Sequence, residues 1–404
     1  MPQRRADRFV TLCGFVCMAL AVFLPVGPQS VAADPAVTPK DAKAPAKQEP
    51  RRLALCQSFP PVAGELRGVW MCNYAEPSWP VAMQALADAN FNAVFPYMMS
   101  GGVAFYQSRV LPMHPDLTTH GDYLAEAVAA ARAAGVPFHA RMLNLSTLFA
   151  PAPVRKCLAD QGRLMVDTRG KTVNWLCPTN KSNRQAQVDS ALEMLAYGVD
   201  GIQFDYLRYP SADTCFCKTC RRKFESDMRI KVGKWPEDAA RGCYRGRFAD
   251  WRREQLTSLV GEIYQAVKAA KPSAAVSAAV FLNWEDHRET FGQDWKAWID
   301  RGFVDFVCPM NYTTNPDRFN LYVARQEKWI AGKVPYATGI GINADGYHFE
   351  GPEQVLDQIR VAREHGSQGF VIFNYNPALV RDYLPWLKLG ATSEPTQFQW
   401  SAGG

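Results

Sequence analysis

The chain has 404 residues, 48% of them hydrophobic and 12% aromatic, enough to bury one large α/β barrel or two smaller domains. Its formal charge of +6 falls to +4 once a leader holding three arginines and one aspartate is set aside. A balance this mild, with basic runs no longer than Arg51-Arg52 and Lys218 to Lys223, argues against a nucleic-acid partner.

At the start of the chain, Arg4, Arg5 and Arg8 precede an apolar run from Phe9 to Val26, and Val31-Ala32-Ala33 then precedes Asp34. This is the layout of an export signal over residues 1–33. Gly14 and Pro25 interrupt the run and leave it marginal as a membrane span. The mature protein is expected in the periplasm or outside the cell, with no stable span after cleavage. Residues 34–55 are rich in Ala, Pro and Lys without apolar periodicity, the composition of a flexible linker.

From residue 56 to 390, apolar runs alternate with amphipathic helical stretches, the pattern of repeated βα units. Strands are predicted at 66–72, 93–97, 138–144, 201–206, 275–281, 304–310, 335–340 and 369–374. Eight is the number that closes a (β/α)8 TIM barrel. Helices predicted at 123–134, 184–197, 251–271 and 352–365 each stop at Gly135, Gly198, Pro272 or Gly366. Two insertions follow strand C-termini. Residues 163–176, around Arg169-Gly170-Lys171, read as a β-hairpin after strand three, and residues 211–248 form a cysteine-bearing excursion after strand four. Residues 391–404 read as a loose tail.

Within Tyr197 to Pro210, Ile202 and Phe204 alternate with Gln203 and Asp205. Period-two alternation puts the two polar side chains on one sheet face. An inward carboxylate needs a reason, because burying an unpaired charge costs several kcal/mol or more. Two reasons are open: a carbohydrate cleft, or a structural ion pair with Arg208. The other strand ends add Trp70, Asn73, Tyr97, His139, Arg141, Asn144, Asn283, Trp284, Glu285, Asp286, Asn311, Tyr312, Asn343, Asn374, Tyr375 and Asn376. Amides and phenols hydrogen-bond hydroxyls and indoles stack on sugar faces. Trp70, Tyr97, Asn144, Arg208, Trp284, Asn311, Tyr312 and Asn374 are the expected substrate-binding residues. No glycine-rich strand-to-helix turn marks a phosphate site, and six histidines are few for a metal hydrolase.

The sequence resembles the glycosyl hydrolase-like 10 family of secreted (β/α)8 glycosidases. The resemblance rests on Arg67-Gly68-Val69-Trp70, Trp175-Leu176-Cys177-Pro178, Asp200-Gly201 through Tyr209-Pro210, Gly292-Gln293-Asp294-Trp295 and Val307 to Thr313. It implies action on an amino-sugar cell-wall polymer of the peptidoglycan type. Two positions depart from the family pattern. Tyr206 stands where relatives often carry a second acid, and Asn311 where an Asp is often found. Leu207 occupies the place of the catalytic Glu in chitinase-like enzymes, which excludes that mechanism.

Glycoside hydrolysis ordinarily uses two carboxyls. Asp205 is the first, and Glu285 is preferred as the second over Asp286 and Asp294, the last being equally suited to capping a helix. A substrate-assisted route would use one acid and the sugar's own N-acetyl group, positioned by Tyr312 or Asn311. The alternative function is a carbohydrate-binding barrel of the cell envelope without catalysis, which Tyr206 and Asn311 favour.

Cys215, Cys217 and Cys220, with Cys243 further on, admit two readings: four thiolates on a structural zinc, or disulfides formed in an oxidising compartment. Neither reading gives the cluster a part in the chemistry, and no cofactor for catalysis is expected. Cys157 and Cys177 bracket the hairpin and are expected to pair as a disulfide.

Overall fold

The computed structural model describes residues 49–117, 121–344 and 346–400. The expected leader, residues 34–48 of the linker and residues 401–404 lie outside this set. Eight parallel strands form the barrel: β1 (Leu66–Met71), β2 (Ala93–Ser100), β3 (His139–Leu143), β4 (Gly201–Asp205), β5 (Ala275–Phe281), β6 (Phe306–Met310), β7 (Thr338–Gly341) and β8 (Gly369–Phe373). β1 pairs in parallel with both β2, Gly68 opposite Ala93, and β8, Leu66 opposite Gly369, so the sheet closes on itself. The fold is a (β/α)8 TIM barrel.

The alternation in β4 sets its two faces. Ile202 and Phe204 join the core between strands and helices, whereas Gln203 lies inside the barrel against Trp70, Ser277 and Cys308. Leu66, Trp70, Phe95, Phe306, Cys308 and Val371 fill that interior. The buried indole of Trp70 donates to Gln203 Oε1 at 2.6 Å, and Gln203 Nε2 donates to Ser277 Oγ at 3.1 Å, so these interior polar groups have partners. Gly339 makes the arrangement possible, because a Cβ there would meet the Trp70 ring at 2.9 Å.

The outer ring includes helices Trp79–Asp88, Tyr123–Ala134, Lys181–Ala196, Arg245–Ala270, Pro316–Ile330 and Pro352–Glu364. Asp122, Asn180 and Asn315 cap three of them by accepting backbone N–H groups. The hairpin forms as expected, Leu164–Val166 against Thr172–Leu176. The longer insertion folds around an aromatic cluster of Phe216, Phe224, Trp235, Phe248 and Trp251. Among the described residues no helix is long and apolar enough to cross a membrane.

Two expectations change at the ends of the chain. Residues 49–55, read as linker, belong to a helix, Glu49–Gln57, whose Arg52 pairs with Glu353 at 2.5 Å and lies over Trp386. The tail is held rather than loose up to residue 400. Asn90, Asn92 and Arg67 donate to the carbonyls of Thr392, Thr396 and Glu394. Phe398 and Trp400 pack against Phe306, and Trp400 against His139 with ring centroids 4.2 Å apart. These contacts close the barrel at its strand N-termini and leave the opposite end for a site.

Candidate active site

Asp205 ends β4 facing the barrel axis and is 4% exposed. Both of its carboxylate oxygens accept hydrogen bonds. Arg141 Nη1 donates to Oδ2 at 2.8 Å, and the backbone N–H of Tyr206 donates to Oδ1 at 2.7 Å. Tyr206 reaches back this way because its φ is 53°, in the left-handed region, at a cost of roughly 1–3 kcal/mol for a residue with a side chain. Each nitrogen of Arg141 is used: Nη2 donates to Met71 O at 2.9 Å and Nε to Phe95 O at 3.2 Å. The guanidinium thus ties β1, β2 and β4 together. Of the two reasons left open for an inward Asp205, the ion pair with Arg208 is not formed; the partner is Arg141.

Aromatic rings wall the mouth. Tyr97 stacks on Phe149 at 5.1 Å and lies beside Arg141, 5.6 Å from ring centre to guanidinium carbon. Tyr312 stacks on Phe373 at 5.2 Å, and Trp70 meets both edge-on from below. Gly341 leaves the space for Tyr312, since a Cβ there would lie 2.8 Å from the ring. Burial, then the neighbouring Asp205 charge, pushes the Tyr312 phenol well above its ordinary value. Burial, then Cys72, does the same for Tyr97. Both therefore offer neutral hydroxyls to a ligand.

Arg208 sits on the β4 side of the mouth, its guanidinium carbon 5.1 Å from the Trp175 ring, 4.5 Å from Tyr206 and 4.6 Å from Phe281. Burial lowers its pKa, opposed by the nearby Tyr206 and Asp205. Cation–π contacts of this kind are worth about 0.5–2 kcal/mol each. His287 packs on Phe281 at 4.5 Å, and burial brings its pKa down to about 4, so the ring is neutral.

Other expected site residues turn away from the mouth. Asn144 and Asn311 each lie one step beyond an inward-facing residue and therefore point out of the barrel. Asn144 Nδ2 donates to Gln187 Oε1 at 2.9 Å. Asn311 and Gln326 exchange amide hydrogen bonds at 2.9 and 2.7 Å. Trp284 donates to Asp294 Oδ1 at 2.7 Å and packs on Trp329, so it serves the helical layer. Asp294 caps Trp295–Asp300. Trp70 is 1% exposed and forms the floor of the mouth rather than a stacking face. Glu285 is exposed on the first turn of Trp284–Thr290, as is Asp286, and neither is hydrogen-bonded or ion-paired to Asp205. Asn374 stays at the rim, its Oδ1 accepting from Asn376 Nδ2 at 3.4 Å. Trp175, Phe149 and His287 also wall the mouth; Trp175 stands on the hairpin strand Thr172–Leu176, His287 on the short helix Trp284–Thr290 and Phe149 in a turn, and how these segments fold back over the barrel is not written in any local sequence pattern. Arg141 was readable from its parity with Leu143, which lies opposite Asp205 in the sheet.

The cysteine cluster is Cys177, Cys215, Cys217 and Cys220, all buried, with their sulfurs within 4.8 Å of one another. Cys243 is exposed and outside it, and so is Cys157, which rules out the expected pairing with Cys177. Cys177 lies 3.7 Å from Cys217 and 3.5 Å from Cys220 between sulfurs. Those separations are too long for disulfides. They match the edge of a tetrahedron with metal–sulfur bonds of about 2.3 Å, roughly 3.8 Å. Donation from Cys177, then Cys215 and Cys220, drives the Cys217 thiol far below its ordinary value. Four sulfurs so placed fit a tetrahedral ion joining the hairpin to the long insertion.

The family model described as Glycosyl hydrolase-like 10 matches residues 65–358. The chain is similar to "Glycosyl hydrolase YngK" of Bacillus subtilis, 22% identical over 406 residues that cover 82% of this chain and 76% of the relative. It is also similar to "Glycosyl hydrolase DigH" of Escherichia coli, 23% identical and covering 72% and 75%. Among solved structures, the PgaB (BpsB) glycoside hydrolase domain from Bordetella bronchiseptica superposes with a TM-score of 0.60 at 14% identity, covering 78% of this chain and 94% of that one. A β-galactosidase from Halorubrum lacusprofundi gives 0.60 at 13% identity, covering 81% and 57%. At these identities the structural likeness speaks for the fold.

Proposed function

Because this chain belongs to the glycosyl hydrolase-like 10 family, we propose that it is an exported glycoside hydrolase acting on an amino-sugar cell-wall glycan. The observation that carries this reading is Asp205, held by Arg141 on the axis of a barrel mouth lined with Tyr97 and Tyr312. A carboxylate whose two oxygens both accept hydrogen bonds suits stabilisation of a positively charged sugar centre, and not proton donation. In hydrolysis the bond from C1 to the leaving oxygen breaks, water adds to C1, and a proton passes to the leaving oxygen. With Glu285 exposed and Asn311 turned outward, a substrate-assisted route would rely on Tyr312 as the hydroxyl that positions the N-acetyl group. Export is supported by Arg4, Arg5 and Arg8 before the apolar run and by the Ala32-Ala33 site. The four cysteines are proposed to hold a structural zinc.

A second reading, a binding barrel without turnover, is favoured by the absence of any second acid in contact with Asp205 among the described residues. Incubating the protein with peptide-free glycan strands and following products by mass spectrometry separates the two. New reducing ends that disappear in Asp205→Asn support the hydrolase; tight binding with intact strands supports the rival.

A further inference from the structure

We propose that Arg208 is a receptor for a carboxylate carried by the sugar that binds beside Asp205. This rests on the glycan reading above and narrows it to an acidic amino-sugar chain. Arg208 contrasts with the three arginines buried among the described residues. Arg67 donates from all three nitrogens, to Glu65, Glu394 O and Val62 O. Arg141 donates to Asp205, Met71 O and Phe95 O. Arg252 commits both terminal nitrogens, to Ala212 O and Ser211 O. Arg208 has no hydrogen bond or ion pair to any described residue, and its Nε is sealed from solvent without an acceptor.

What surrounds Arg208 is a cage of three rings, Trp175, Tyr206 and Phe281. Ring faces offset part of a cation's charge but accept few of its N–H bonds. A desolvated guanidinium in that state awaits an acceptor. Asp205 does not supply it, since its oxygens are taken by Arg141 and the Tyr206 N–H. The residue keeps part of its surface open, and its terminal nitrogens, unlike Nε, are not among the sealed atoms. Their planar fork matches the two oxygens of a carboxylate. A singly charged group also suits the place better than a dianion, because the negative Asp205 lies close by. An ether-linked lactic acid on an amino sugar and a uronic acid unit both present such a group.

The test is calorimetric binding to three glycans: peptide-free strands whose alternate sugars carry lactic-acid ethers, the same strands with those carboxyls reduced to alcohols, and an amino-sugar polymer alternating with uronic acid. We expect the acidic strands to bind at least about tenfold tighter than their reduced form, with a gap that narrows in salt. The uronic polymer distinguishes the two carboxylate sources. In Arg208→Gln the ratio of the two affinities should collapse toward one, while Arg208→Lys should keep part of it. Equal affinity of the unmodified protein for acidic and reduced strands would overturn the role of Arg208 and leave the glycan reading standing. No affinity for any of the three would overturn that reading, and this inference with it.

Discussion

Arg141 and Asp205 meet inside the barrel from neighbouring strands, although Arg141 stands opposite Gln203 in the sheet and so approaches the carboxylate from two residues below. The pair therefore comes from the stagger of a closed sheet, and it presents Asp205 upward with its base anchored. Asp205→Asn keeps the shape and removes the charge. Turnover of glycan strands should fall by about 10³ or more, and unfolding in denaturant should show a loss of about 1–3 kcal/mol as Arg141 loses its counter-charge. Arg141→Met, which leaves the carboxylate buried and unpaired, should cost about 3–5 kcal/mol. Turnover that survives Asp205→Asn would remove Asp205 from the chemistry.

Stability should depend on pH through the other end of the barrel. His139 is fully buried among Phe95, Phe306 and Trp400, and burial lowers its pKa to about 3 from 6.5. Burial also lowers His287, to about 4. The sign follows from which state binds the proton. As pH falls below about 6.5 the unfolded chain protonates these rings while the folded chain does not, so stability present at neutral pH is lost progressively toward pH 3. The loss should reach a few kcal/mol for His139. Urea titrations from pH 7 to pH 4 should show this slope in the parent and a shallower one in His139→Leu. Parallel slopes would mean that the ring is not held neutral.

The barrel was legible because its strands are short apolar runs and four of the helices between them end at a clear Gly or Pro stop, a pattern local enough to read one unit at a time. The parity of β4 likewise placed Gln203 and Asp205 inside. What the sequence hid lies beyond strand ends. Asn144 and Asn311 look like rim residues in one dimension, yet each sits one step past an inward position and so faces a helix. The tail was illegible for another reason: Phe398 and Trp400 are isolated apolar residues among polar ones, and only the open floor of the barrel gives them a place. Cys177 precedes its three partners by some forty residues and is brought to them by the hairpin, which spacing alone cannot show.

Asn311 tests the distinction between rim and scaffold. Its paired amide bonds with Gln326 are buried, and Gln326 also donates to Leu282 O at 2.8 Å. Asn311→Ala leaves a buried amide without its partner, which should cost about 1–3 kcal/mol in chemical denaturation. Turnover per folded molecule should stay within about threefold of the parent, since a change of about 1 kcal/mol at the transition state would already exceed that. A hundredfold fall in turnover with unchanged stability would return Asn311 to the site.

The four-sulfur cluster sits next to one wall of the mouth. Trp175, which faces the Arg208 guanidinium, lies two residues before Cys177, while Cys215, Cys217 and Cys220 belong to the insertion that follows β4. An ion held by all four sulfurs would fix one wall of the mouth to the strand that bears Asp205. Metal analysis should find about one zinc per chain, and thiol titration of the denatured, chelated protein should find these four cysteines reduced. Cys177→Ser should lose most of the zinc and lower the melting temperature by about 5 °C or more, with a fall in glycan affinity as Trp175 loosens. Cys243→Ser, exposed and outside the cluster, should keep the zinc and the melting temperature. The reverse result, zinc lost with Cys243 and retained without Cys177, would place the ion elsewhere and break the link between the cluster and the Trp175 wall.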